Sequence, residues 1–232
     1  MNGFTRASVS LCLVGLATAA WAQTAPPPPA PAATARVAYV EVAPSEVQRT
    51  ISLLKTYRQA VQKAPGVTRV AVLQQIGRPN LFAIEEKWND AASLQAHLAS
   101  ADTKRFGSDL AGALLAPIDE RLLAPVAVQP ANGVVSEQSI YVLTHADAAA
   151  RREEIPGMLQ EFAAGARREM GNVLLDATVQ PNRTNHFTLI EVWTNQRAQE
   201  SHVTAEHTRK FRAAFAAVSG ALYDERIYKP IP

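Results

Sequence analysis

The stretch "EVWTNQRAQESH", Glu191 to His202, has a blurred copy in "EKWNDAASLQAH", Glu86 to His97. The tryptophans (88 and 193) and the histidines (97 and 202) both stand 105 residues apart. Extended outward without a gap, residues 66–125 match 171–230 at 16 of 60 positions. Unrelated chains of ordinary composition would share roughly four. The identities include Asn80/Asn185, Phe82/Phe187, Phe106/Phe211 and the triplet Asp119-Glu120-Arg121/Asp224-Glu225-Arg226. One unit has been duplicated.

Each copy reads in the same order. "VAYVEV" (Val37–Val42) and "SIYVL" (Ser139–Leu143) are opening strands. A helix follows, with Ser45 as its expected N-cap in the first copy and Val47, Ile51, Leu54 and Val61 on one face. In the second copy Pro156 suits a first turn, and Ile155, Leu159, Phe162 and Ala166 form the stripe. Gly66 and Gly171 end these helices. A second strand then turns at "GRPN" or "PNRTN" into a third, on which Phe187, Leu189, Glu191 and Trp193 share one side, as do Phe82, Ile84, Glu86 and Trp88. Asp90 and Asn195 are placed to cap the next helix, and a last strand runs through "DERLLAP" or "DERIYKP". Strand, helix, strand, strand, helix, strand is the ferredoxin-like α+β layout. Helices cover only one face of such a sheet, so the other needs a partner. A tandem chain supplies its own, which predicts an intramolecular dimeric α+β barrel.

Outside the units, Met1–Ala22 carries one early charge, Arg6, then an apolar run and Ala20-Trp21-Ala22. This is the pattern of a cleaved secretory signal, and predicts a periplasmic or secreted protein with no membrane insertion after cleavage. Residues 23–35 are a Pro/Ala-rich linker. The first unit is expected over 36–128 and the second over 134–232, joined at "QPANG" (Gln129–Gly133). Cleavage would remove Cys12, the one cysteine, leaving no thiol or thiolate metal site. The formal charge of +2 falls to +1 without Arg6, which lacks the basic footprint of nucleic-acid binding. Export also argues against NAD or ATP as cofactors.

"FTLIEVWTNQRAQESHVTAEHTRKF", Phe187–Phe211, resembles the antibiotic biosynthesis monooxygenase domain of the dimeric α+β barrel superfamily. The shared features are an F-x-x-x-E-x-W strand, a capped turn, a helix with one histidine, a second histidine five residues on, and Phe211. The first copy keeps Glu86, Trp88, His97 and Phe106 but has Asp102 in place of His207. The resemblance implies oxidation of a quinol-like or phenolic aromatic molecule by molecular oxygen, with no metal, flavin or other cofactor. Such chemistry is feasible because an electron-rich phenolate can itself reduce oxygen once it is deprotonated, kept dry and stabilised. The haem-degrading branch fits poorly, since its tryptophan falls on His202 and its histidine on Arg212.

The catalytic candidates are therefore Glu191, His202 and His207, with Trp193, Phe187, Trp88, Glu86 and His97 as substrate-binding candidates. Burial would raise the carboxyl of Glu191 into the range of a base; the alternative is a structural ion pair with Arg226. Five positions on one helix turn a side chain by about 140°, so His202 and His207 are not expected to enter one pocket. His207 is read at the break before a second helical segment that holds Phe211 and Phe215. The tryptophans either stack on a flat ligand or fill the core. No H-E-x-x-H or other three-ligand zinc pattern is present. The second unit, with the fuller match, is expected to carry the better site. A non-enzymatic small-molecule-binding or stress protein, a purely structural tandem, and further self-association remain open.

Overall fold

The computed structural model describes residues 32–150 and 152–232. The leader and residues 23–31 of the linker lie outside the described residues; Ala35, the linker's last residue, already opens the first strand. The first unit runs β1 (Ala35–Glu41), α1 (Val47–Val61), β2 (Val67–Gln75), β3 (Leu81–Trp88), α2 (Ala91–Leu98), α3 (Ala101–Leu110) and β4 (Asp119–Ala127). The second runs β5 (Ile140–Asp147), α4 (Glu154–Ala166), β6 (Asn172–Gln180), β7 (Arg183–Trp193), α5 (Gln196–Thr204), α6 (Glu206–Ala216) and β8 (Asp224–Pro230).

Local chemistry explains most of these limits. Gly66 and Gly171 hold φ of 84° and 87°, where a side chain is strained. A Cβ would also lie 2.4 Å from Ser93 Oγ at the first and 2.6 Å from Ala198 Cβ at the second. Asp90 and Asn195 cap α2 and α5, accepting from the backbone N–H of Ser93 (2.7 Å) and Ala198 (3.0 Å). Ser45 does not cap α1: it lies within a 3₁₀ turn, Pro44–Glu46, which feeds the helix directly. The second hairpin is also tighter than "PNRTN" suggested, since β7 begins at Arg183. Asn80 and Asn185 serve one purpose in both units, donating to the carbonyls of Val42 (3.2 Å) and Ala148 (2.9 Å) just beyond the opening strands.

The eight strands form one closed barrel in the order β1-β3-β2-β8-β5-β7-β6-β4, with β4 returning to β1. Each unit contributes a four-stranded sheet, and the units join edge to edge where β2 meets β8 and β4 meets β6. Closure removes the unpaired edges that each unit would expose alone. Side chains alternate accordingly. Val37, Tyr39, Leu73, Tyr141, Leu143 and Val192 share one cluster drawn from both units. The opposite faces pack under each unit's own helices, with Ile84 and Trp88 in one cluster and Leu189 and Trp193 in the other. Among the described residues no helix is long and apolar enough to cross a membrane.

The repeated Asp-Glu-Arg triplets converge on Tyr39, with the guanidinium carbons of Arg121 and Arg226 lying 5.6 and 4.9 Å from its ring centroid. His145 lies edge-on to the same ring at 5.3 Å and is 4% exposed. Burial, then Arg121 and Arg226, outweigh Asp224 and Asp119 and push its pKa down to about 3. The unfolded chain therefore takes up a proton at His145 as pH falls through about 6.5 while the folded chain resists, so stability drops with acid. Between pH 7.5 and 5 this group should cost about 2 kcal/mol. Denaturant unfolding at the two pH values should show a loss that is smaller by that amount in His145→Gln; parallel profiles would contradict it.

Candidate functional site

In both units the duplicated glutamate, tryptophan and histidine meet beneath the helices. Each histidine ring stacks on its tryptophan, His97 on Trp88 at 4.6 Å and His202 on Trp193 at 4.5 Å. Each Nε2 lies 3.4 Å from its glutamate, Glu86 or Glu191. The surroundings then diverge.

In the first unit Glu86 is fully buried and meets Arg36 at 3.6 Å. The Tyr57 hydroxyl donates to Glu86 at 2.7 Å and lies 2.8 Å from His97 Nε2. A hydroxyl has one proton, so with it committed to Glu86 the Tyr57 oxygen accepts from an Nε2–H. That network assigns the tautomer and leaves Nδ1 as the free acceptor nitrogen. Burial pushes the Glu86 carboxyl up, but hydrogen bonding with His97, the Arg36 charge and Tyr57 outweigh it and hold the group below its ordinary range.

In the second unit Val142 lies opposite Glu191 in the strand register where Arg36 lies opposite Glu86. Phe162 replaces Tyr57, stacking on Phe211 as Tyr57 stacks on Phe106. Glu191 thus loses both partners. It accepts from Trp193 Nε1 at 3.0 Å, and burial lifts its pKa to about 8. The alternative ion pair with Arg226 does not form, because that arginine is held by Asp224 on its own strand at 2.6 Å. His202 Nδ1 is taken by Glu169 Oε1 at 2.6 Å. Burial, with His207 and Arg212 nearby, drops the His202 pKa to about 3, so this contact is a neutral N–H donating to a carboxylate. The two histidines therefore carry opposite tautomers.

The expectation that His202 and His207 do not enter one pocket is corrected. Their rings lie 5.6 Å apart, and both reach Glu169, His207 Nε2 at 3.0 Å. The 140° turn assumed one continuous helix. Ala205, with φ −61° and ψ 147°, breaks the chain between α5 and α6, and His207 starts a new helix. Although the sequence has no zinc-like spacing, Glu169, His202 and His207 bring donor atoms within 4.8 Å of one another. Sequence reasoning also missed Arg36, Tyr57 and Glu169. The 105-residue offset, carried two positions before the aligned block, places Ala64 opposite Glu169, which is the one legible signal.

That exchange shapes the surface. Where Ala64 stands, a groove of about 790 Å³ opens between the end of α1 and α2, walled by Val61, Ala64, Pro65, Trp88, Ala96 and His97. In the second unit the position of Ala64 is taken by Glu169, which meets His202 and His207. The hollow of about 160 Å³ there lies elsewhere, between α4 and α6 beside Met158, Phe162, His207 and Phe211. Phe187 and Trp193 are enclosed in the core.

The sequence profile described as antibiotic biosynthesis monooxygenase matches residues 34–108 and 141–214, one match per unit and more than half of the chain. The chain belongs to the antibiotic biosynthesis monooxygenase family. Its tandem form has structural counterparts. A candidate monooxygenase of Fusobacterium nucleatum superposes with a TM-score of 0.76 at 14% identity, covering 87% of this chain and 94% of that one. One from Lactobacillus acidophilus gives 0.71 at 12%, covering 87% and 95%. An anthrone oxidase-like protein gives 0.65 at 10%, covering 85% and 91%. At these identities the likeness is one of fold. No curated protein matches the chain. Within this antibiotic biosynthesis monooxygenase tandem, then, both histidines are buried, and His97 is the one that borders the large groove.

Proposed function

We propose that the protein is an exported, cofactor-independent monooxygenase that oxidises a flat phenol or quinol in the groove of the first unit. The observation that carries this reading is His97: its Nε2 is committed to Tyr57, so Nδ1 is the nitrogen available to a ligand in an apolar groove walled by Trp88. The groove takes a planar ring against Trp88, where the indole edge favours an aromatic neighbour. His97 Nδ1 accepts the phenolic proton. The ionised Glu86 behind the ring, 3.4 Å from Nε2, stabilises the imidazolium that results. The phenolate then reduces molecular oxygen. Over the whole reaction one free ring C–H of the phenol or quinol becomes C–O and the ring is oxidised to a quinone, which keeps one atom of the oxygen molecule while the other leaves as water. The substrate loses four electrons and oxygen gains four. The leader-like start of the chain supports export, with cleavage after Ala22.

The test uses protein from the producing cell, whose N-terminus by mass spectrometry should fall at or near Gln23. Oxygen uptake with a panel of hydroquinones should exceed the spontaneous rate. His97→Ala should lower it by about 10²-fold or more. Ala64→Glu, which copies Glu169 and its hold on the histidine's Nδ1, should weaken ligand binding. His202→Ala should leave uptake largely intact. Tight quinone binding with no uptake would make this a non-enzymatic small-molecule-binding protein. Selective loss in His202→Ala would move the reaction to the second unit.

A further inference from the structure

We propose that Glu169, His202 and His207 hold one divalent metal ion of borderline hardness, with zinc the best fit, in the second unit. This inference stands apart from the oxidation reading, which concerns the first. Two imidazoles and a carboxylate form a donor set well suited to zinc, and three protein donors leave a fourth position for water.

The geometry is close to what such an ion needs. Bonds of about 2.0–2.2 Å in a tetrahedron set donors roughly 3.3 Å apart. Glu169 Oε1 lies 2.6 Å from His202 Nδ1 and 3.0 Å from His207 Nε2. The three donor atoms lie within 4.8 Å of one another, so the site is completed by a retreat of about half an ångström by the carboxylate together with an approach of the two imidazoles. Glu169 can make that move, since its side chain is 19% exposed and lies beyond the end of α4.

Two further observations point to a ligand. Although His207 Nε2 is near Glu169, it is an enclosed nitrogen with no aligned hydrogen-bond partner among the described residues. A buried polar atom left in this state costs free energy unless something occupies it. The second observation is the support behind His202. Its Nδ1 faces the cluster while Nε2 lies 3.4 Å from Glu191, so ligation through Nδ1 would move the ring proton from Nδ1 to Nε2, toward that carboxyl. A carboxyl group on the far nitrogen is the outer-shell partner that fixes a metal-binding imidazole's orientation.

The surroundings make room for the ring and offer an internal control. A Cβ on Gly165 would sit 2.8 Å from His207 Cδ2, so glycine at that position lets the imidazole lie against α4. In the first unit the aligned residues are Ala60, Ala64, His97 and Asp102. Two of the three donors are changed there. The ion would bridge the segment after α4 to both α5 and α6, across the break at Ala205.

The experiment is zinc titration of the full chain after chelator treatment, read by calorimetry and thermal melting. About one zinc per chain is expected, with Tm raised by roughly 5–11 °C at a hundredfold excess over Kd. His207→Asn, at a partly exposed position, and Glu169→Gln should each abolish stoichiometric uptake. Glu191→Gln should weaken it by about 10–100-fold, while Asp102→Ala should leave it unchanged. Cobalt(II) should give a visible ligand-field absorption that His207→Asn removes, a readout independent of stability. Uptake equal in wild type, His207→Asn and Glu169→Gln, or no uptake at all, would reduce the cluster to a hydrogen-bonded group and overturn the proposal.

Discussion

Replacing Arg69 by methionine should lower the unfolding free energy by about 3–5 kcal/mol, the cost of stripping the partner from a buried charge. Arg69 on β2 grips Glu85 through Nη2 at 2.7 Å and Nε at 3.0 Å, and reaches Asp176 on β6 at 3.0 Å. Glu85 is fully buried and Asp176 is 1% exposed. Lys87 at 3.2 Å gives Asp176 a second cation, but among the described residues Glu85 has only Arg69. The network also crosses between the units, so its loss weakens the closed barrel itself. Equilibrium unfolding at neutral pH, followed by tryptophan fluorescence, should show the loss almost undiminished by salt, because buried pairs are poorly screened. Converting Glu85 to Gln in the same chain should recover a large part. A loss below about 1 kcal/mol would mean the network behaves as a solvated surface pair.

Arg36→Met should cost a similar amount, about 3–5 kcal/mol at pH 8, and much less at pH 5. Its Glu86 partner has the other half of the duplication as a natural comparison. With Arg36 and Tyr57 present the Glu86 carboxyl sits below its ordinary range, whereas Glu191, facing Val142 and Phe162, is lifted to about 8. The variant moves Glu86 toward the second condition. The sign follows. In the wild type the depressed pKa contributes stability above the unfolded value near 4.5, lost only as pH falls through the folded pKa. In the variant the raised pKa means the folded state holds a proton that the unfolded chain releases, so stability falls as pH rises from about 4.5. The difference between the two proteins should therefore widen from pH 5 to pH 8, and Glu86→Gln in the same chain should flatten it. A pH-independent loss would assign the effect to packing of the arginine stem instead.

The candidate site was half legible. The glutamate, tryptophan and histidine stand out because one alignment displays them twice, and strand alternation correctly places glutamate and tryptophan on a shared face. Their electrostatic state was not legible. It depends on Arg36 and Tyr57, which come from β1 and α1 and are separated from Glu86 by 50 and 29 positions. Nothing local in "VAYVEV" marks its flanking arginine as the partner of a residue two strands later.

What the sequence determined by itself is the part governed by neighbours in the chain. The 105-residue duplication, the order of strands and helices, the caps at Asp90 and Asn195 and the left-handed stops at Gly66 and Gly171 all follow from short-range periodicity and backbone sterics. The tertiary structure alone decided how the barrel closes, pairing β2 with β8 and β4 with β6, and which buried charges meet across those seams. It also decided that His207 turns back toward His202, since a single extended residue at Ala205 cancels the helical phase from which their separation was reckoned. Periodicity holds only within an unbroken element. Once a break or a barrel closure intervenes, the positions of side chains are set by packing between distant segments, and that information is not carried by spacing.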